Sequence, residues 1–147
     1  MSAEIKEEVT SVVLAFVECG NRGDLQVAAD LHGDDLVFHM PGMPAMNKQA
    51  WEQFNQQWFG AFPDLHIAVD PSTMTTEEDR AAGYYTLTAT HTGDFMGIPA
   101  TGRRISVTGV NLFRVRDGKI VEEWVSNDSL GMMQQLGIVP APGAGQQ

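Results

Sequence analysis

The chain has 147 residues and 43% hydrophobic residues, and 19 acidic against nine basic side chains give it a net charge of −10. This is the length of one ordinary domain with a substantial core, so we expect a single domain over residues 1–140 and a flexible tail over 141–147. The composition excludes a disordered or collagen-like chain. The absence of clustered lysine and arginine argues against nucleic acid or an anionic membrane as a partner.

Cysteine usage and hydropathy indicate a cytoplasmic protein. Cys19 is the only cysteine, so no intrachain disulfide can form, and a reducing compartment fits best. The acidic N-terminus lacks the apolar run of a signal peptide. No stretch approaches the roughly 18 apolar residues of a membrane span. We therefore expect a cytoplasmic chain with no membrane partner.

Helical patterns open the chain. Apolar side chains recur at helical spacing over residues 9–17. Asp24 can cap a second, shorter helix that continues to Leu31. The apolar run Leu36–His39 then predicts a short strand, which the breakers Pro41, Gly42 and Pro44 close.

A third helix follows this strand. Asn47 can cap it and Pro63 ends it. Its aromatic stripe consists of Trp51, Phe54, Trp58 and Phe62. We interpret the stripe as core, with Trp58 and Phe62 long enough to line a pocket.

The second half of the chain predicts strands. They are Leu65–Asp70, Gly83–His91, Ile105–Arg116 and Lys119–Asn127, and a final short helix covers Ser129–Leu136. Asp117–Gly118 between the last two strands is typical of a tight hairpin turn. Helices first and strands after predict an α+β domain, with the helices packed on one face of a mostly antiparallel sheet.

Alternation along the strands sorts the side chains by sheet face. One face collects apolar side chains with a few polar members, which is the composition of a small-molecule pocket. The predicted pocket residues are Val37, Trp58, Phe62, Tyr85, Leu87, Asn111, Phe113, Val125 and Asn127. The opposite face, with Val110, Leu112 and Trp124, is too apolar for free solvent, so we expect a homodimer through this outer face.

Four polar side chains are candidates for catalysis, and each has a structural alternative. His39 and His91 could transfer a proton or could only satisfy backbone groups. If Glu123 lies on the apolar face, burial disfavours its charged form, which is the property that an acid–base group needs. If it lies on the solvated face, it has no catalytic role. Asp128 could be a base or could only cap the last helix.

Other chemistries lack the residue patterns that they need. The sequence contains no glycine-rich phosphate loop, no nucleophile elbow and no histidine pair at metal-ligand spacing. We therefore expect neither a metal nor a cofactor. His32 and His66 are interpreted as surface residues.

Three stretches together resemble the SnoaL-like polyketide cyclase family. They are THTGDFMGIPATGRRISVTGVNLFRVRDGKIVEEW (Thr90–Trp124), LHGDDLVFHMPG (Leu31–Gly42) and SLGMMQQLG (Ser129–Gly137). The resemblance implies an α+β barrel of the nuclear-transport-factor-2-like (NTF2-like) type, in which a curved sheet wraps around N-terminal helices and leaves a conical pocket. It also implies cofactor-free enzymes that close a ring of an aromatic polyketide by intramolecular aldol condensation, and relatives assigned to hydroxylation.

One departure from the family pattern changes the expected reaction. The cyclases carry a catalytic aspartate where this chain has Val125, and their pocket histidine corresponds to Asn111. A valine cannot take a proton, so we expect hydroxylation of a polycyclic, anthracycline-type polyketide, with a reductase as a possible partner. The first alternative is ring closure with Glu123 or Asp128 as acid and base. The second is a module that only binds a small hydrophobic aromatic ligand.

Overall fold

The computed structural model describes residues 3–140 and Gly143. In chain order its elements are α1 (Ala3–Asn21), α2 (Leu25–Asp30), β1 (His32–His39), α3 (Lys48–Ala61), β2 (His66–Val69), β3 (Thr75–Glu77), β4 (Arg80–Thr90), β5 (Arg104–Arg116), β6 (Lys119–Asn127) and α4 (Ser129–Gln135). A 3₁₀ turn at Pro71–Thr73 joins β2 to β3. The predicted flexible tail lies outside the described residues except for Gly143.

The strands form one curved sheet of mixed direction. Its order is β1-β6-β5-β4-β2, and β3 pairs with the other end of β4. All neighbours are antiparallel except β1 and β6, which run parallel. The predicted β5–β6 hairpin turns at Asp117 and Gly118, whose positive φ angles of 52° and 72° match the right-handed twist of the strands. The predicted α+β class with a mostly antiparallel sheet is confirmed.

The helices begin where the sequence places caps. The Asp24 side chain accepts a hydrogen bond from the backbone N–H of Val27, and the Asn47 side chain accepts one from that of Ala50. These bonds satisfy amides that a helix leaves unpaired in its first turn. No described helix is long and apolar enough to cross a bilayer.

Helices α1 and α3 cover the inner face of the sheet and bury two clusters of apolar side chains. One cluster lies between α1, α3 and the middle of the sheet and includes Val9, Val13, Trp51 and Phe113. The other lies under the C-terminal half of α3 and includes Phe62, Leu87 and Ile105. The space that remains between these clusters is the cavity described below.

A β-bulge in β6 interrupts the strict alternation of its side chains between the two faces of the sheet. Val115 pairs with Ile120 but Arg114 pairs with Glu122, so Val121 is the extra residue on β6. The bulge lets both Ile120 and Glu123 point inward, although their positions differ by an odd number of residues. Strict alternation along the whole strand does not give this arrangement.

Candidate functional site: an apolar cavity with a buried carboxyl group

A cavity of about 140 Å³ lies between α1, α3 and the inner face of the sheet. This is roughly ten times the space that one water molecule needs, so it is not a packing defect. Helix α1 contributes Val13, Phe16 and Val17, and α3 contributes Trp51, Phe54 and Trp58. The sheet contributes the polar side chains Tyr85, Asn111, Glu123 and Asn127, and α3 adds Asn55.

Most of the predicted pocket residues line this cavity. They are Trp58, Tyr85, Leu87, Asn111, Phe113, Val125 and Asn127. Val37 was predicted to line the pocket but does not. It is 37% exposed on the outer face, because Leu36 and Phe38 take the inward positions of β1. Phe62 was also predicted to line the pocket, but it does not reach the cavity. It is fully buried beneath Trp58, with the two ring centroids 5.4 Å apart.

Glu123 brings a carboxyl group to the cavity wall and is only 2% exposed. Its Oε1 accepts a hydrogen bond from Asn111 Nδ2 at 3.1 Å. Its Oε2 lies 3.8 Å from Nε2 of His32 and has no hydrogen-bond partner among the described residues. Glu123 therefore presents a buried carboxyl group to the cavity.

The other three catalytic candidates lie outside the cavity lining. His39 is on the outer face, where its Nε2 is 2.8 Å from Glu122 Oε2, because Phe38 occupies the inward position. His91 is fully buried behind Phe62, and its Nδ1 is 3.0 Å from the hydroxyl of Thr101.

Asp128 caps the last helix. One of its carboxylate oxygens accepts a hydrogen bond from the backbone N–H of Gly131 at 2.9 Å. The side chain does not line the cavity. Glu123 is therefore the one predicted catalytic residue that the described cavity wall contains.

His32 was wrongly interpreted as a surface residue. It is 1% exposed, and its ring lies between the rings of Phe16 and Trp51, with centroids 4.9 and 4.0 Å away. The strand was predicted to begin at Leu36, so alternation gave no information about position 32.

Tyr85 supplies a hydroxyl group on β4. Burial raises the pKa of Tyr85 to about 12; the Asn127 side chain opposes this rise and the charge of Glu123 adds to it. Gly109 on β5 makes room for the ring, because a Cβ atom there would lie 2.5 Å from the phenol oxygen. The phenol therefore keeps its proton at neutral pH and can donate it in a hydrogen bond.

Comparison with known proteins agrees with this architecture. The family model for SnoaL-like polyketide cyclases matches residues 10–136. The chain belongs to the SnoaL-like polyketide cyclase family. AclR from Streptomyces galilaeus, described as a candidate hydroxylase, is 32% identical with a TM-score of 0.83 over 92% of this chain and 84% of its own.

Two other relatives of this SnoaL-like chain are described as cyclases. IdmH from Streptomyces antibioticus, a candidate polyketide cyclase, is 32% identical with a TM-score of 0.76 over 88% of this chain and 98% of its own. The aklanonic acid methyl ester cyclase DnrD of Streptomyces peucetius is 47% identical over 47 residues. That match covers 32% of this chain and 32% of DnrD, so the chain matches about a third of the length of this curated relative.

The SnoaL-like chain presents Val125 and Asn111 side by side. The two residues are cross-strand partners on β6 and β5, and both line the cavity. Glu123 stands two residues before Val125 on the same inner face. The carboxyl group is therefore one strand repeat, about 7 Å, away from the position where the resemblance placed the aspartate.

We predict that the Tyr85 phenol of this SnoaL-like chain ionises only at high pH. Because the folded pKa of Tyr85 is raised from 10.0 to about 12, the unfolded chain loses this proton first as the pH rises. The free energy of unfolding should therefore fall across this pH window. Spectrophotometric titration should show one phenol ionising near pH 12 and should lose that transition in Tyr85→Phe. Ionisation of the Tyr85 phenol near pH 10 would contradict the prediction.

Proposed function

We propose that this chain is a polyketide-tailoring enzyme that holds a polycyclic aromatic polyketide in the cavity and transfers a proton through Glu123. The observation that carries the proposal is a buried carboxyl group, the only one in the described wall of a largely apolar cavity. Aromatic side chains from α1 and α3 suit a flat, hydrophobic ring system. The carboxyl group is the cavity's proton acceptor.

The reaction that this geometry supports best is ring closure by intramolecular aldol condensation. Glu123 takes a proton from a substrate carbon flanked by carbonyl groups, and the enolate that forms attacks a ketone carbon of the same molecule. A carbon–carbon bond forms, the carbonyl π electrons move to oxygen, and that oxygen takes the proton back. The product is an isomer of the substrate.

Two neighbours of Glu123 support this step. Asn111 donates a hydrogen bond to Oε1 and so fixes the orientation of the carboxylate. Tyr85, which also lines the cavity, can donate a hydrogen bond to the oxygen that becomes negative. Base and donor therefore stand on the same side of the substrate, at the sheet.

Hydroxylation is the second candidate, and the likeness to AclR over most of both chains favours it. In that reaction Glu123 would accept the proton of a substrate phenol. Dioxygen, two electrons from a reductant and two protons from solvent would then place one oxygen atom on the ring and release the other as water. A reductase partner would supply the electrons.

The mass of the product distinguishes these reactions. We expect purified protein, incubated in air with an anthraquinone-type polyketide ester, to give a new chromatographic peak of unchanged mass. A product heavier by one oxygen atom, formed only with a reductase and reduced nicotinamide, would replace ring closure with hydroxylation. Binding without any product, measured by quenching of tryptophan fluorescence, would favour a binding module and would contradict both enzyme proposals.

The predicted homodimer through the outer face stays a proposal. Tyr84 and Val110 are cross-strand partners on this face and are 42% and 48% exposed. Val37 lies on the same face, and Leu112 and Trp124 pair beside it. A second copy of the chain would remove this apolar patch from water. Sedimentation equilibrium tests this by measuring whether the mass in solution is that of one chain or of two.

A further inference from the structure

His32 lies directly behind Glu123, outside the cavity wall. Its side chain is fully buried, and the rings of Phe16 and Trp51 pack against it. The cavity is lined by Phe16, Trp51 and Glu123 but not by His32. The imidazole therefore touches the carboxyl group without being able to touch a substrate.

Hydrogen bonding fixes which ring nitrogen must carry a proton. Nδ1 of His32 is 2.7 Å from the backbone oxygen of Ala28, and a carbonyl oxygen can only accept. Nδ1 is therefore protonated, so in a neutral ring the lone pair would be on Nε2. That atom faces Glu123 Oε2 at 3.8 Å, and neither atom has a hydrogen-bond partner among the described residues.

Two buried lone pairs that face each other are unfavourable, and one proton between them removes the conflict. We propose that His32 and Glu123 form a buried ion pair, in which Nε2 carries a proton and the facing Oε2 carries the negative charge. His32 is then a positioning residue that keeps Glu123 ionised inside an apolar cavity. This inference rests on the proposed function only for the task that it gives to Glu123.

The protons and charges of the proposed aldol step balance with this pair. Glu123 takes the proton from the substrate carbon, and the electron pair of the broken carbon–hydrogen bond stays on the substrate as an enolate. The imidazolium of His32 keeps both of its N–H groups and compensates the charge of the enolate. When the product oxygen takes the proton back, the pair returns to its starting state.

Few other charged or titratable groups among the described residues face this pair. From α3, Lys48 donates a hydrogen bond through Nζ to the backbone oxygen of His32 at 3.0 Å, and its Nζ is 3.5 Å from Asp34. From β4, the Tyr85 phenol senses the charge of Glu123. From β5, the neutral amide of Asn111 binds Oε1. The opposite charge that faces Glu123 at close range is therefore the imidazolium of His32.

Nitrogen NMR of the imidazole rings tests the pair without any substrate. In the wild-type chain, both ring nitrogens of His32 should be protonated through neutral pH, with the signals assigned by their loss in His32→Gln. In Glu123→Gln, Nε2 of His32 should lose its proton at a lower pH than in the wild-type chain, because the facing negative charge is gone. Glu122→Gln is the matched control, because Glu122 contacts His39 and should change only that histidine.

An unprotonated Nε2 in the wild-type chain, or one whose titration is the same in Glu123→Gln, would overturn the proposal. With a substrate in hand, His32→Gln should move the acidic limb of the pH profile of kcat upward by about one unit or more, with a small change in KM. If His32→Gln does not fold, the NMR comparison of the glutamate variants still decides. Failure of the proposed function shows as no turnover while the NMR signature of the pair is intact.

Discussion

Glu123→Gln is expected to lower kcat by about 10²- to 10⁴-fold, because glutamine keeps the shape of the side chain but cannot take up a proton. The amide oxygen can still accept the hydrogen bond that Asn111 donates, so the cavity should keep its form. Substrate affinity, measured by tryptophan fluorescence, should therefore change little. Single-turnover kinetics with the polyketide ester would separate the chemical step from binding.

The neighbouring glutamate provides the control for this variant. Glu122 lies on the outer face, where it contacts His39 and Arg114, and the same substitution there should leave kcat unchanged. If both variants retain full activity, Glu123 does not carry the proton. If both lose activity equally, the effect comes from the strand and not from the cavity carboxyl group.

The β5–β6 hairpin shows what alternation can predict. Its turn residues, its strands and the cavity-lining positions Asn111, Phe113 and Val125 all follow from the sequence. Long strands with alternating apolar and polar side chains contain enough positions to define two faces. The bulge at Val121 is invisible in this pattern, because it depends on how β6 pairs with β5 and not on the side chains of β6 alone.

Strand β1 shows where alternation fails. Leu36, Val37 and Phe38 are consecutive apolar residues, so the sequence does not distinguish which of them points inward. The parallel pairing with β6 decides, and it brings together residues more than 80 positions apart. For this reason the prediction that Val37 lines the pocket was wrong, and the catalytic candidate His39 lies outside the cavity lining.

The burial of His32 was also beyond reach of the sequence pattern. It depends on a backbone carbonyl of α2, on two aromatic rings from different helices and on a carboxyl group of β6. A histidine is unexceptional at a surface, and its chemistry changes only because the fold encloses it. The site thus combines a residue that alternation finds, Glu123, with one that only the assembled fold reveals.

Gly93→Ala is expected to lower the free energy of unfolding by about 3 kcal/mol, because a Cβ atom at this position would lie 2.3 Å from the backbone oxygen of Gly60. The loop cannot simply retreat, since the N–H groups of Thr92 and Gly93 both donate to the oxygen of Ala61, at 3.0 and 3.1 Å. Thermal unfolding should shift downward by roughly 6 to 12 °C for a chain of this size.

Gly60→Ala is the matched control, because no atom lies within 4 Å of a Cβ atom at that exposed position of α3. Replacing a helical glycine by alanine should raise stability by up to about 1 kcal/mol. Equal stability of Gly93→Ala and the wild-type chain would show that the loop has room that the structure does not give it. A destabilised Gly93→Ala should also affect the site, since the same loop holds Phe95 against Trp58, with ring centroids 4.7 Å apart, and Trp58 lines the cavity.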